Sequence, residues 1–446
     1  METMAQPLVR LSDGTVLQVG PLTGTQVWTI PGRSHRPLPR EVRAGRELEP
    51  GEENRLCQFC PDRYLETTPE KTRLVVDDPR PDGAAPSAGA RIERHRLASS
   101  LHDDEAAVRR FGNLFEIVST ASWRVNHGFI PPADVVAWAA DYLADPVGRG
   151  HVIGLLAYRE ASGGPVAPVA GDERALLEAT VDLLAGSHDV VVPRRHVVAG
   201  ATTSDQLASS GSMTPDEHAD FIRCTIDALA DLYRSQPAAR YVAVFQNWLA
   251  PAGASVEHLH KQLVAIDSYG PQVQREASLA LADPELYQHA VLDLARREGL
   301  IVAANDHAVA IAGIGHRYPS IELYSTSPRH RPWAQTPEEV RGMSDLLHAM
   351  HAATGTAVPT NEEWHHRPPD VQAPMPWRIV LKWRLHVPAG FEGGTKIYVN
   401  TIDPWTVRER VVAALHELRE AGTIAPLRIA EEVRGRDVRL PVVTDG

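Results

Sequence analysis

The sequence predicts an α+β fold of antiparallel sheets with helices packed against them, and three observations lead to this prediction. The chain has 446 residues, a length that allows two or three domains. Two helix starts share the pattern Thr-Pro-x-Glu, at Thr214 and at Thr336. Each is preceded by an apolar strand-like run that ends in basic residues, and each is followed by further strand-like runs. The ordered match indicates two related units in tandem.

The first unit is centred on the helix that begins after Thr214. Residues 190–196 read as an apolar strand that ends in Arg-Arg-His. Thr214 is a predicted N-cap, proline takes the first helical position, and Glu217 completes a capping box. Apolar residues then follow at helical spacing. Residues 240–247 and 258–267 read as the strands after this helix.

The second unit repeats this order with a strand at residues 321–324, a helix after Thr336 and a strand at residues 377–387. Coincidence is the alternative, because Thr-Pro-x-Glu is a common helix start. Residues 121–185 have no partner in the second half and read as an inserted helical segment. The predicted domains are therefore residues 1–270 and 271–446.

Composition narrows the classes of function. The net charge of −12 argues against nucleic-acid binding and against anionic membranes. No apolar run reaches the length of a membrane span, and the N-terminus lacks a secretory signal pattern. Three cysteines, Cys57, Cys60 and Cys224, are too few for a disulfide framework, which favours a reducing cytoplasm.

The densest chemical signal lies in residues 247–262, which read NWLAPAGASVEHLHKQ. His258, His260 and Gln262 alternate with other residues, so an extended segment would place them on one face. A solvated edge strand is the alternative. The apolar residues that follow indicate instead a buried strand, where three polar side chains are costly without a role.

Nucleophilic attack on phosphorus is the chemistry that fits this segment. A neutral imidazole can attack an α-phosphate and form a phosphoramidate, with its second ring nitrogen held by a hydrogen bond. Gln262 can donate to a phosphoryl oxygen as charge builds there, but it cannot supply a proton. Leaving groups and acceptors that need no proton, such as phosphates, are therefore favoured. Gly253 and Ser255 would let backbone N–H groups and a hydroxyl approach the phosphates.

Two further motifs predict ligand contacts. Cys57 and Cys60 have the spacing of a zinc knuckle, with two buried free thiols or a redox pair as alternatives. Arg33 and Arg36, in a loop bracketed by prolines, suit phosphate contact, although a solvated basic loop explains them equally well. The candidates to complete the metal site are His258 and His196, with His188 and His127 as weaker ones.

Taken together, these motifs resemble the galactose-1-phosphate uridylyltransferase family, the transferase branch of the histidine-triad superfamily. Residues 247–262 are similar to the family pattern N-x-G-x-x-AGAS-x-x-HPH-x-Q. Leu259 replaces the proline of that pattern, and residues 376–380 (PWRIV) stand where the family often has a histidine-rich strand. The other matching segments, in order, are residues 21–25, 31–37, 57–70, 110–115, 189–196, 364–365 and 389–400.

The resemblance implies two histidine-triad-like halves in each protomer, a homodimer, and ping-pong transfer through a nucleotidyl-histidine. It implies His260 as the nucleophile, Gln262 as the group that stabilises the transferring phosphoryl, and Ser255 as a phosphate contact. The remaining implied roles are nucleotide or substrate contacts for Asn113, Asn247, Arg33 and Arg36, and a structural Zn²⁺ held by Cys57, Cys60, His196 and His258.

The expected activity is transfer of a nucleoside monophosphate, UMP in this family, between a nucleotide sugar and a sugar 1-phosphate. A phosphorylase or adenylyltransferase that uses inorganic phosphate is one alternative. A nucleotide-binding protein that has lost turnover is another. The altered strand at residues 376–380 leaves the sugar and any second metal open.

Overall fold

The computed structural model describes residues 6–32, 45–76, 90–168, 170–434 and 438–442, and within these ranges the predicted α+β class is confirmed. Every helix there falls short of the length or the apolar character that a membrane crossing requires. The strands are β1 (Leu8–Arg10), β2 (Val16–Val19), β3 (Gln26–Thr29), β4 (Glu70–Val76), β5 (Ala90–Arg94), β6 (Ala106–Gly112), β7 (His188–Pro193), β8 (Tyr241–Trp248), β9 (Lys261–Ile266), β10 (Ile301–Ala304), β11 (Ala308–Ala312), β12 (Ser320–Ser325), β13 (Thr360–His365), β14 (Arg378–Trp383), β15 (Ile397–Asn400) and β16 (Arg428–Ile429). The α-helices are α1 (Thr120–His127), α2 (Ala133–Ala144), α3 (Pro146–Ala161), α4 (Glu173–Leu184), α5 (Pro215–Ser235), α6 (Gly270–Ala282), α7 (Asp293–Arg297), α8 (Pro337–Thr354), α9 (Gly390–Thr395) and α10 (Pro404–Glu420).

The described strands form two sheets in which antiparallel pairing dominates. The large sheet has twelve strands in the order β16-β10-β11-β12-β14-β13-β8-β9-β7-β6-β4-β5. The small sheet has the order β1-β2-β3-β15, and its β3–β15 pair is parallel. This pair brings the N-terminal strands against a late segment of the chain, and a domain division at residue 270 stays a prediction.

Helices α5 and α8 begin with the two predicted capping boxes. The Thr214 hydroxyl accepts from the Glu217 N–H at 3.2 Å, and the Glu217 carboxylate accepts from the Thr214 N–H at 2.8 Å. Thr336 and Glu339 make the same pair of bonds at 3.3 and 2.8 Å. The two helices contact each other. Helix α5 also packs against β7, β8 and β9, and α8 packs against β11 and β12. The two predicted strand–helix–strand units therefore lie side by side.

Strand β13 joins the two units, because it pairs with β14 on one side and with β8 on the other. Fully buried Lys261 of β9 donates to Glu362 of β13 at 2.5 Å and to Gln246 of β8 at 3.0 Å. Glu362 also accepts from Nε2 of His351, on α8, at 2.7 Å. Burial opposes ionisation of Glu362, but Lys261 and His351 outweigh it and hold its pKa well below the usual value. This buried network links both units beneath the sheet.

The helices α1 to α4 lie between β6 and β7 in the chain and correspond to the predicted helical segment at residues 121–185. Trp123 of α1 belongs to the main core, whereas α2, α3 and α4 share an apolar cluster of their own. Its largest buried members are Trp138, Tyr142, Leu156 and Leu176. Helices α2 to α4 therefore pack around a core of their own and are inserted in the chain between β6 and β7.

We expect Glu362→Ala to lower the free energy of unfolding by about 3–5 kcal/mol, because it leaves the buried Lys261 ammonium without its partner. Denaturant unfolding measures the change. Glu178→Ala is the matched control, since Glu178 pairs with Arg174 on an exposed helix face and should change stability little. Equal, small effects of both substitutions would show that the network does not join the units.

Candidate active site

The turn that leads into the histidine segment has an unusual backbone conformation. Leu249, directly after β8, has φ 66° and ψ 154°, a region that is essentially restricted to glycine. Its carbonyl oxygen accepts from the N–H groups of Ala252 and Ala254 at 3.0 and 3.3 Å. Gly253 has φ 91°, which a residue with a side chain rarely adopts. Such strain costs about 1–3 kcal/mol and persists only where surrounding contacts fix the backbone.

Those contacts come from β13. The Nδ2 amide of Asn361 donates to Oδ1 of Asn247 at 2.7 Å and to the carbonyl of Ala252 at 2.8 Å. Arg384 in turn donates to Oδ1 of Asn361 at 2.7 Å. Asn247 and Gly253 thus shape the turn without lining the cavity described below. Their predicted contact with substrate stays a prediction.

His260 lies directly before strand β9, with one ring nitrogen held by a hydrogen bond. Strand β9 begins at Lys261, three residues later than the predicted start at residue 258, and the chain bends at His258, so the two histidines precede the strand. The Nδ1–H of His260 donates to the carbonyl of His258 at 2.8 Å, which leaves the lone pair on Nε2. Burial lowers the pKa of His260, so the ring is neutral near pH 7. Only 4% of the residue is exposed, and Nε2 has no hydrogen-bond partner among the described residues.

Gln262 is oriented by His188, a residue for which sequence reasoning offered only a weak metal role. The N–H of Ile117 points at Nδ1 of His188 at 3.4 Å, and on this ground we assign the ring proton to Nε2. That Nε2–H donates to Oε1 of Gln262 at 3.0 Å. The oxygen of the Gln262 amide is therefore engaged, and its NH₂ group is left for a ligand. Asn113 Nδ2 lies 3.3 Å from the same ring nitrogen.

A cavity of about 710 Å³ brings most of the predicted catalytic residues together. His260, Gln262, Ser255 and Asn113 all line it, whereas His258 does not. An apolar wall beside His260 is formed by Phe59, Phe111, Val190 and Val256. The cavity has the size of an ordinary small-molecule site.

Cys57, Cys60, His196 and His258 form a compact cluster. The two sulfurs are 3.8 Å apart, and the sulfur-to-Nδ1 distances are 3.4 Å for Cys60–His196 and 3.6 and 3.7 Å for His258 with Cys57 and Cys60. Tetrahedral ligands at ordinary zinc bond lengths would lie about 3.8 Å apart for two sulfurs and about 3.5 Å apart for sulfur and nitrogen. The four side chains are therefore spaced to hold one tetrahedral metal ion.

His258 connects this cluster to the cavity. Its Nδ1 faces the thiols, and its Nε2–H donates to the carbonyl of Pro193 at 2.8 Å, as expected of a ring that ligates through the other nitrogen. Its own carbonyl holds His260. The weaker metal candidates lie elsewhere: His188 contacts Gln262, and His127 lies 3.0 Å from the carboxylate of Asp267.

Charge at the cavity is nearly balanced among the described residues. Arg63 is the one lining guanidinium there, and Glu66 accepts from it at 2.7 and 2.6 Å. Arg33 and Arg36, the predicted phosphate contacts, lie outside the described residues. Phosphate at His260 would therefore meet neutral amide and hydroxyl donors within the described part of the site.

The side chains that distinguish residues 376–380 from the histidine-rich strand lie in the core. Trp377 and Arg378 are both buried. Arg378 donates to Glu276 at 2.5 Å and to Glu322 at 3.3 Å. Among the described residues, the Cys57 cluster is the one group of three or more side chains spaced to hold a metal. In this strand a buried ion network stands in place of the histidines.

Comparisons with known proteins agree with this architecture. A family model described as "Domain of unknown function (DUF4921)" matches residues 11–440. An ADP-glucose phosphorylase of Arabidopsis thaliana is 26% identical over 173 residues, which are 37% of this chain and 49% of that protein. The chain thus spans about half the length of the curated relative it matches.

Two solved structures share the fold over most of the chain. A crystal structure of an ADP-glucose phosphorylase from Arabidopsis thaliana with bound ADP-glucose has a TM-score of 0.58 at 18% identity, covering 89% of this chain and 97% of that one. A GalT-like protein from Arabidopsis thaliana has a TM-score of 0.54 at 17% identity with the same coverage. The predicted resemblance is thereby confirmed at the level of the fold.

Proposed function

The chain belongs to the DUF4921 family, and we propose that it is a nucleotidyltransferase that carries a nucleoside monophosphate on His260. One observation supports this most directly: a buried, neutral imidazole, whose Nε2 has no partner among the described residues, lines a cavity that the Gln262 amide also lines. The donor we propose is a nucleoside diphosphate sugar. A homodimer in a reducing cytoplasm, as the resemblance and the scarcity of cysteines suggest, completes the proposal.

In the first half-reaction, Nε2 of His260 attacks the α-phosphorus of the donor. The N–P bond forms as the P–O bond to the sugar 1-phosphate breaks, and the electron pair leaves on the phosphate oxygen. That oxygen needs no proton. The positive charge that builds on the ring is stabilised by the His258 carbonyl, which accepts from Nδ1–H.

The NH₂ group of Gln262 donates a hydrogen bond to the phosphoryl oxygen on which negative charge builds. The Oε1 atom of Gln262 already accepts from His188, so the NH₂ group is the part left for the substrate. Ser255, exposed at the cavity wall, adds a hydroxyl donor for phosphate. Asn113 lies beside the same cavity and is the proposed contact to the nucleotide. In the second half-reaction, an acceptor phosphate oxygen attacks the same phosphorus and the N–P bond breaks, which frees His260.

The lining residues offer little help to water as the acceptor. His151 has both ring nitrogens engaged, one by the Tyr142 hydroxyl and one by the carbonyl of Thr67. Glu66 is paired with Arg63. No free base therefore stands beside His260 among the described lining residues, which favours a phosphate that is already ionised.

The acceptor is either a sugar 1-phosphate, as in the uridylyltransferases that the motifs resemble, or inorganic phosphate. The second possibility is favoured by the curated relative, an ADP-glucose phosphorylase, and by the structure of such an enzyme with bound ADP-glucose. With inorganic phosphate, the nucleoside monophosphate would leave as a nucleoside diphosphate. The residues of the site serve both reactions, since both acceptors attack through a phosphate oxygen.

Zinc is the metal we propose for Cys57, Cys60, His196 and His258. Two thiolates and two imidazoles with tetrahedral spacing are a common structural zinc set. When bound, the ion would supply a rigid, redox-inert crosslink between the N-terminal knuckle and the segment that carries His260. The transfer itself is performed by His260 and Gln262.

Incubation with nucleotide sugars labelled at the α-phosphate tests the transfer. The wild-type protein is expected to retain an acid-labile, base-stable label, and His260→Asn to retain none. His127→Asn, which alters a histidine that does not line the cavity, is the control and should label normally. Tight nucleotide binding without any label on the wild-type protein would identify a binding protein instead. Release of the label by inorganic phosphate or by sugar 1-phosphates then identifies the acceptor.

The role of His188 predicts a change in kcat rather than in KM. His188→Ala should lower kcat about tenfold, since Gln262 is no longer held in one orientation; outright loss of such a donor costs about 10²–10³ in kcat. His188→Gln, whose amide can donate to the same oxygen, should recover part of the loss. In the double variant with Gln262→Ala, the loss should equal that of Gln262→Ala alone. Independent, multiplicative losses would remove His188 from this role.

Cys57→Ser is expected to reduce bound zinc from about one ion per chain towards none and to lower the melting temperature. Elemental analysis of the purified protein measures the metal. Cys224→Ser is the matched control, because Cys224 is buried but lies outside the cluster. It should keep the metal even where it lowers stability. Wild-type protein without metal, with unchanged melting in chelator, would contradict the zinc assignment.

A further inference from the structure

Helix α3 contributes one wall of the cavity, and that wall carries two glycines. Gly150 and Gly154 are four residues apart, so they lie one turn apart on the same face. Both line the cavity, together with His151, Leu155 and Tyr158 of the same helix. A Cβ atom added at either glycine would meet no atom within 4 Å apart from the adjacent residues and the backbone of its own helix. Packing therefore does not require glycine at these two positions.

Gly148, in the same helix, is different. A Cβ there would lie 2.3 Å from the carbonyl oxygen of Tyr142, so packing excludes any side chain. Glycine is among the poorest helix-forming residues, and no packing contact requires it at position 150 or at position 154. Glycine in a helix that borders a cavity lets a ligand approach the backbone closely.

The same cavity contains an independent sign of a ligand. His260 is more than nine-tenths buried, lines the cavity, and has an Nε2 without a partner among the described residues. The glycine face and the reactive nitrogen thus border one space. A molecule of nucleotide size that reaches His260 would have α3 within its surroundings.

The chemistry of the glycine face selects among the parts of such a molecule. In the middle of an α-helix the backbone N–H and C=O groups are used by the helix itself. Both ring nitrogens of His151 are also engaged, and Leu155 is apolar. Between the two glycines the face therefore offers contact without hydrogen bonds, which suits a flat aromatic ring better than the hydroxyls of a hexose, and the Tyr158 hydroxyl lies one turn further along. At the rim, Phe115 and Tyr158 form an edge-to-face pair with ring centroids 6.2 Å apart.

We propose that the Gly150–Gly154 face of α3 is the seat of the nucleobase, and that it sets how tightly the nucleoside half of the substrate binds. The proposal rests on the proposed nucleotidyl transfer for the identity of the ligand. The helical segment between β6 and β7 is thereby a specificity element of the site. The hexose, in this arrangement, lies away from the glycine face.

Gly150→Ala and Gly154→Ala test the proposal, because they separate stability from binding. Each methyl group meets open space and improves helix formation, so each should raise Tm, by about 1–2 °C. Each should also weaken nucleotide binding at least tenfold, since the methyl group occupies the space of the ring. Ile153→Ala is the matched control. Ile153 is exposed on the same helix, does not line the cavity, and should leave binding unchanged.

Calorimetric titration with ADP and ADP-glucose, and with UDP and UDP-glucose, measures the binding. Equal weakening for a diphosphate and for its sugar derivative is the expected result. Weakening of the sugar derivative alone would place the sugar on α3 and overturn the proposal, as would unchanged affinity for both. Binding does not depend on covalent labelling, so nucleotide binding by a protein that never labels would overturn the transfer and leave this proposal standing. Absence of nucleotide binding to the wild-type protein would overturn both.

Discussion

The orientation and tautomer of His260 depend on the hydrogen bond from its Nδ1–H to the carbonyl of His258. A carbonyl oxygen can only accept. The bond therefore fixes the ring proton on Nδ1 and leaves the lone pair on Nε2, at the cavity. The carbonyl belongs to a residue whose own ring is held between two thiols and the carbonyl of Pro193. The cluster of Cys57, Cys60, His196 and His258 therefore fixes the position of the His260 ring through the His258 carbonyl.

Successive side chains of strand β9 point to opposite faces of the sheet, and this links the cavity to the rest of the sheet. Gln262 faces the cavity and is oriented by His188 on β7. Lys261, its neighbour, points to the opposite face and pairs with Glu362 of β13. A buried ion pair adds little net stability compared with an apolar pair, but it tolerates few geometries. The network thus restrains β7, β8, β9 and β13 relative to one another, and the donors around His260 are held by both units.

The second unit supports the turn that precedes the histidine segment. Asn361 of β13 holds both Asn247 and the carbonyl of Ala252, and so supports a turn in which Leu249 adopts a backbone conformation typical of glycine. Arg378, in contrast, is committed to Glu276 and Glu322 in the core. The strand at residues 376–380 therefore contributes a buried ion network to the core.

The sequence by itself determined the features that depend on near neighbours. The capping boxes at Thr214 and Thr336, the strand at residues 240–247 and the alternation around His260 follow from local propensity and side-chain periodicity. Tertiary structure decided which partners meet. The resemblance predicted that His196 joins Cys60, and the two lie 3.4 Å apart, whereas the contact of His188 with Gln262 was not predicted. Tertiary structure also placed α3 against the cavity and β13 against β8. Such choices depend on distances between segments far apart in the chain, and local sequence patterns carry no information about those distances.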